Sequence, residues 1–283
     1  MITRKFLPGA EWLYIKIYSG AKTSDLILQE TATQLVENLK QENLIEKWFF
    51  IRYSDPKPHI RLRFLLCRRS SLDIVLEKIN LELQEFLASG EIISFLLDTY
   101  VRELERYGFN TIDYAESLFS YSSDLVLNLL GCDDEEKLMM SVFYINNFLS
   151  KLKWSETEKA NWLLSIDSAF KAEFNADKQL KNQLVKKYAA FKSKYEDFLH
   201  SEDFEEFRNL ILLNLAKSEK ILEKLLLLQS DNSLQVSLYT FFQSIFHMHI
   251  NRIFHSNQRL FEMIIYDFLL RENKTRLAIP NHF

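Results

Sequence analysis

The sequence predicts an α+β protein: a small antiparallel sheet in the N-terminal third, packed with a predominantly helical remainder. Three observations carry this. Short alternating apolar runs cluster before residue 105, near-continuous helical periodicity follows Gly108, and breakers are scarce, with 5 Gly and 4 Pro against 23 Phe.

EWLYIKIYSG, residues 11–20, alternates as a strand. Trp12, Tyr14 and Lys16 face one way and Leu13, Ile15 and Ile17 the other, and Gly20 ends it. TSDLILQETATQLVENLKQEN reads as a helix capped by Ser24 or Asp25, with a stripe of Leu26, Ile27, Leu35, Val36 and Leu39. KWFFIRY, residues 47–53, and HIRLRFLL, residues 59–66, flank the turn SDPKP and should pair as an antiparallel hairpin. In the second strand His59, Arg61 and Arg63 share a face opposite Ile60, Leu62 and Phe64, and Arg52 is expected on the arginine side. SLDIVLEKINLELQEFLASG is a helix stopped by Gly90, and the segment from Glu91 begins as a strand and ends in a charged stretch closed by Gly108. The order β-α-β-β-α-β admits a ferredoxin-like core up to about residue 105. Six helical stretches follow, with no proline between Pro58 and Pro280 and no linker or repeat. The expected organisation is therefore a single domain over residues 1–283.

Apolar residues make up 47% and charged residues 26%, with a net charge of −4, so nothing suggests a general nucleic-acid binder. Cys67 and Cys132 form no metal-ligand spacing and read as buried small hydrophobes in a reducing cytoplasm. The N-terminus lacks the apolar run of a signal peptide, and no segment is apolar enough over roughly eighteen residues to span a membrane.

Three clusters could carry chemistry. Arg52, His59, Arg61 and Arg63 are either a solvated hairpin face or an anion pocket, since guanidinium forks match carboxylate and phosphate. Arg102, Glu103, Glu105 and Arg106 are either an exposed ion-paired helix start or a group in which Glu103 orients an arginine toward that pocket. In FHMHINR, His247 lies four residues before Asn251 and His249 three before Arg252. Histidines two apart on a helix diverge, which argues against a metal pair and leaves a core histidine or a general acid/base. No phosphate-binding loop, nucleophile elbow or zinc-helix motif is present.

In this order, WLYIKIYSG, WFFIRYSDPKPHIRLRF, DTYVRELERYG and HMHINR resemble the C-terminal elimination domain of class I lanthipeptide dehydratases, also called the thiopeptide-type bacteriocin biosynthesis domain. The resemblance covers roughly residues 8–272. It implies removal of glutamate from glutamylated Ser and Thr of a ribosomally made leader-core precursor peptide, leaving dehydroalanine or dehydrobutyrine. The arginines would hold the carboxylate and stabilise enolate charge. Arg61, Arg63 and Arg106 match family positions implicated in this step, as does one histidine of the late block, His247 or His249. His247 is favoured because Asn251 could fix its ring. Arg52, His59, Arg102, Glu103, Asn251 and Arg252 would complete the substrate-binding set, Glu103 orienting Arg106. The family often has a glycine pair after its ERY motif, where this chain has Gly108-Phe109.

The resemblance further implies a stand-alone cytoplasmic elimination subunit that works with a separate tRNA-dependent glutamylation subunit. A cyclase and a second copy of the chain would be further partners. No cofactor, metal, direct nucleic-acid contact or membrane is expected. Two alternatives stay open. One is a pyridine synthase of a thiopeptide-type pathway, joining two dehydroalanines by formal [4+2] cycloaddition. The other is a non-catalytic subunit that holds peptide on its aromatic-rich sheet.

Overall fold

A short strand, β1 (Lys5–Phe6), opens the chain, and β2 (Trp12–Ser19) follows as expected. Next come α1 (Ala21–Leu26), a π-helical segment (Ile27–Ala32) and α2 (Thr33–Gln41). The remaining elements of this region are β3 (Ile45–Tyr53), β4 (His59–Leu66), α3 (Leu72–Ala88), β5 (Ile92–Leu97), β6 (Tyr100–Val101), α4 (Leu104–Tyr107) and α5 (Ile112–Leu127). The computed structural model describes residues 2–278. They group into two units: residues up to Gly131 with Leu227–Ser256, and Cys132–Leu226 with the residues from Asn257 on.

In the first unit, four strands pair antiparallel in the order β3-β4-β2-β5, and β1 pairs with β6 in a separate ribbon. Strand β4 lies between the two strands joined through α1 and α2, which is the interlocked β-α-β of the ferredoxin-like arrangement. The chain is thus α+β, with its strands in the N-terminal part. Leu13, Ile15, Ile17, Trp48, Phe50, Ile60, Leu62 and Phe64 are all buried on one sheet face, as the period of two requires.

The structure corrects several local expectations. Gly20, not Ser24 or Asp25, caps the first helix: Ser24 lies inside it, bonded to Ser19 Oγ at 2.9 Å, and Asp25 pairs with Arg52. The π turns carry an extra residue each and rotate the apolar stripe, so Leu26 is exposed while Ile27, Leu28, Thr31 and Ala32 are buried. Arg52 pairs in register with Ile60, so it lies on the face opposite Arg61 and Arg63. Arg102 precedes the short helix α4 and does not share its face with Arg106. Cys67, just past β4, is exposed, and Cys132 is half-buried.

In the second unit, α6 (Asp134–Ser150), α7 (Glu156–Glu173), α8 (Lys178–His200), α9 (Glu205–Ala216) and α10 (Glu219–Ser230) realise the periodic stretches, the last of which ends beyond the unit's boundary. Asp133 with Glu136, and Ser155 with Glu158, form capping boxes that fix two of the starts. Helix α11 (Leu238–Ile253) belongs to the first unit, where Ser237 caps it, and α12 (Gln258–Ala278) to the second. Helix α12 packs on α7: Trp162 meets Tyr266 edge-on at 6.0 Å, and Lys171 bridges Asp167 and Asp267 at 2.7 and 2.8 Å.

Arg102 is buried and donates Nε to Glu116 Oε1 at 2.8 Å and an Nη to Oε2 at 2.6 Å, with Asp113 a further partner. This ties the β6 segment to α5. Glu116→Ala would strand a buried guanidinium and should lower unfolding stability by about 3 kcal/mol, read as a lower urea midpoint at unchanged slope.

Candidate active site

The registers of β2, β4 and β3 assemble one face of the site. Tyr14, Lys16 and Tyr18 stand beside Arg63, Arg61 and His59, which stand beside Phe49, Ile51 and Tyr53. The residues two apart in PHIRLRF therefore do share a face, and its two ends differ.

At one end Arg63 is buried at 8% exposure inside an aromatic cage. Its guanidinium carbon lies 4.5 Å from the Tyr14 ring centre, 4.8 Å from that of Tyr100 and 5.2 Å from that of Phe49. The rings offer quadrupole attraction but no lone pair in the guanidinium plane. Its buried Nε has no hydrogen-bond partner, and no carboxylate of the described residues forms an ion pair with it. Burial pulls the Arg63 pKa below its ordinary value, with the Tyr100 and Tyr14 phenols opposing and Glu103 acting more weakly.

Arg63 lines a pocket of about 40 Å³ with Tyr100, Glu103, Tyr107, Phe119 and Met248. That exceeds the roughly 10–15 Å³ that a single water needs, so the pocket suits a small head group. Tyr107 carries a hydroxyl whose pKa burial pushes up to about 12. At the rim Glu103 contacts Arg106 Nε at 3.2 Å, both side chains largely in solvent. The structure thus brings Arg63, Glu103 and Arg106 to one place.

At the other end Arg61 is half-buried, its guanidinium stacked 3.5 Å over the Tyr53 ring centre, and it donates Nε to His59 Nε2 at 2.9 Å. Lys16, its neighbour on β2, is paired with Asp98 at 2.5 Å.

The remaining predicted residues are engaged elsewhere. Strand β3 is the sheet edge, and the late histidine block seals it. Asn251 accepts from the Arg52 N–H at 2.9 Å and donates to its carbonyl at 3.0 Å. Arg252 donates Nε to the Phe50 carbonyl at 2.7 Å, and Arg52 donates Nε to the Arg252 carbonyl at 2.8 Å while pairing with Asp25 at 2.5 Å. These side chains occupy backbone groups that an edge strand leaves open. Arg52, Arg102, Asn251 and Arg252 therefore hold structure together rather than face the pocket.

The two histidines part company. His249 is fully buried, its Nδ1 lying 3.0 Å from Ser122 Oγ, and burial together with Arg252 lowers its pKa to about 3. His247 is half-buried, next in sequence to Met248 of the pocket wall, and keeps contact with solvent. No group of three or more His, Cys, Asp or Glu among the described residues could hold a metal, and no described helix is long and apolar enough to cross a membrane. Sequence reasoning missed the cage. Tyr14 and Phe49 stand opposite Arg63 by register and could have been found by aligning the strands, whereas Tyr100 and Ser122 gave no local signal.

A family model described as lantibiotic biosynthesis dehydratase, C-terminal, matches residues 12–272, through both units. The chain belongs to the lantibiotic dehydratase C-terminal family. Among curated relatives, the nisin biosynthesis protein NisB of Lactococcus lactis subsp. lactis is 28% identical over 95% of this chain and 26% of its own length. The chain thus spans about a quarter of the length of the curated relatives it matches. The fold is shared with the tRNA-dependent lantibiotic dehydratase MibB of Microbispora sp. 107891, at TM-score 0.70, 19% identity, 97% of this chain and 29% of that one. It is shared also with TbtD, the pyridine synthase of thiomuracin biosynthesis, at TM-score 0.60, 13% identity, 93% of this chain and 98% of that one.

In this dehydratase-family fold the neutral His249 has a consequence for stability. Its folded pKa, about 3, is below the ordinary value of 6.5, so the unfolded chain takes up the proton first. Stability from this group is complete above pH 6.5 and is lost as pH falls toward 3. The urea midpoint should drop between pH 6.5 and 4, and drop less in His249→Gln, which cannot protonate.

Proposed function

We propose that this chain carries out β-elimination of glutamate from glutamylated Ser or Thr of a precursor peptide. The family membership supports a role in lantibiotic peptide dehydration, and the elimination step rests chiefly on Arg63. A buried guanidinium with no carboxylate partner is costly to fold, and a carboxylate brought in by a ligand offsets that cost.

The chemistry follows from the substrate. An aminoacyl ester made from tRNA uses the α-carboxyl of glutamate, so the γ-carboxylate and the α-amine stay free. Arg63 and Arg61, with Arg106 at the rim, bind the glutamyl group and the carboxylate that departs. A base removes the α-proton of the esterified residue, and that electron pair moves onto the adjacent amide carbonyl as an enolate. The enolate pair then forms the Cα=Cβ bond as the Cβ–O bond breaks, and glutamate leaves as a carboxylate that needs no proton. The adjacent amide carbonyl carries enolate charge in between, which a nearby guanidinium stabilises. His247 is the proposed base, since burial and Arg252 make His249 a much weaker base. Glu103 orients Arg106. The glutamyl ester comes from a tRNA-dependent glutamylation subunit.

The likeness to the pyridine synthase shows the fold alone. Joining two dehydroalanines requires no carboxylate binding, so an unpaired, caged Arg63 favours elimination over cycloaddition.

Arg63→Ala should slow glutamate loss from a glutamylated peptide by roughly 100-fold, and Arg63→Lys should also be impaired because an ammonium cannot reproduce the planar fork. Mass spectrometry would show the glutamylated intermediate accumulating. Full dehydration by Arg63→Ala at the wild-type rate would rule out the pocket.

A further inference from the structure

His59 has a fixed tautomer. Its Nδ1 lies 2.8 Å from the Lys57 carbonyl oxygen, which can only accept, so Nδ1 carries the proton. Its Nε2 is then a lone pair, and Arg61 donates Nε into it at 2.9 Å. The ring is pinned on both faces, stacked on Tyr18 at 4.5 Å and tilted against Tyr53 at 5.5 Å, and is 2% exposed. Burial chiefly lowers its pKa, with Arg61 on its own strand and Lys16 on β2 adding to it, against the Lys57 carbonyl bond and Asp55 in the turn.

This bond decides which edge of Arg61 is offered to a ligand. A guanidinium can grip a carboxylate side-on through Nε and one Nη, or end-on through both Nη atoms. With Nε committed to His59, the end-on fork is the one left. The Tyr53 ring beneath fixes the plane of that fork.

We propose that His59 is a positioning residue: held as the Nδ1–H tautomer by the turn at Lys57, it locks Arg61 so that its two Nη atoms face the substrate. The class of ligand, a carboxylate, rests on the elimination reading above; the lock itself does not.

The test uses the full chain and a glutamylated peptide. His59→Phe keeps the ring stack but removes the acceptor, and should lower kcat/KM by roughly tenfold or more. His59→Gln, whose amide oxygen can accept from Arg61, should recover most of that loss. In an Arg61→Ala background His59→Phe should cost nothing further. Equal losses in the Phe and Gln variants, or additive losses with Arg61→Ala, overturn the proposal. Nitrogen NMR of isotope-labelled histidine and arginine reads the lock without turnover. It should show an Nδ1–H tautomer for His59 and a slowly exchanging Arg61 Nε–H that His59→Phe loses and His59→Gln keeps. Absence of glutamate loss by the wild-type chain would sink the elimination reading alone. A proton on Nε2 of His59, or an Arg61 signal unmoved in His59→Phe, would sink the lock.

Discussion

Strand β4 is hydrogen-bonded on both sides, to β2 and to β3, and its register is the constraint from which the site follows. A slip of one residue would turn His59, Arg61 and Arg63 into the face now filled by Ile60, Leu62 and Phe64. Buried Trp48, Phe50 and Ile15 hold that face against such a slip. The cost of burying two arginines and a histidine there would far exceed the cost of the cage, where each polar head has at least rings, a carbonyl or solvent to meet. The same register sets Tyr14 and Phe49 on either side of Arg63.

The arginines of this unit divide by what their guanidinium groups touch. Arg102 is matched to Glu116 and Asp113, Arg52 to Asp25 and a carbonyl, and Arg252 to the Phe50 carbonyl and Ser122. Those three close an edge or anchor a segment. Arg63 is held by rings alone and Arg61 by a ring and one imidazole nitrogen, so both keep donors for an acceptor from outside. An aromatic cage suits such a purpose. It stabilises a cation in place without competing for the donors that a carboxylate needs.

Much of this was legible in the chain. The alternation in WLYIKIYSG and HIRLRF gave strands, faces and pairing, because a period of two survives whatever packs above it. The helices after Gly108 were legible for the same reason, through a period near 3.6. What the sequence hid depends on contacts made far along the chain. Arg52 looked like a fourth pocket arginine because it is close in sequence, yet register put it behind the sheet. The HMHINR block suggested one catalytic histidine with Asn251 and Arg252 in the substrate-binding set, while Asn251 and Arg252 serve the backbone of β3 some 200 residues earlier. The π segment after Leu26 had no sequence mark, and it moved the helix stripe by the width of one residue.

The account stands or falls on whether the caged arginine site acts on a glutamyl ester. The most direct measurement is the mass of a pre-glutamylated precursor peptide after incubation with the wild-type chain. Loss of glutamic acid, leaving the peptide one water lighter than its unmodified form, is the predicted result. An unchanged mass, with a dehydroalanine-bearing peptide consumed in its place, would contradict it.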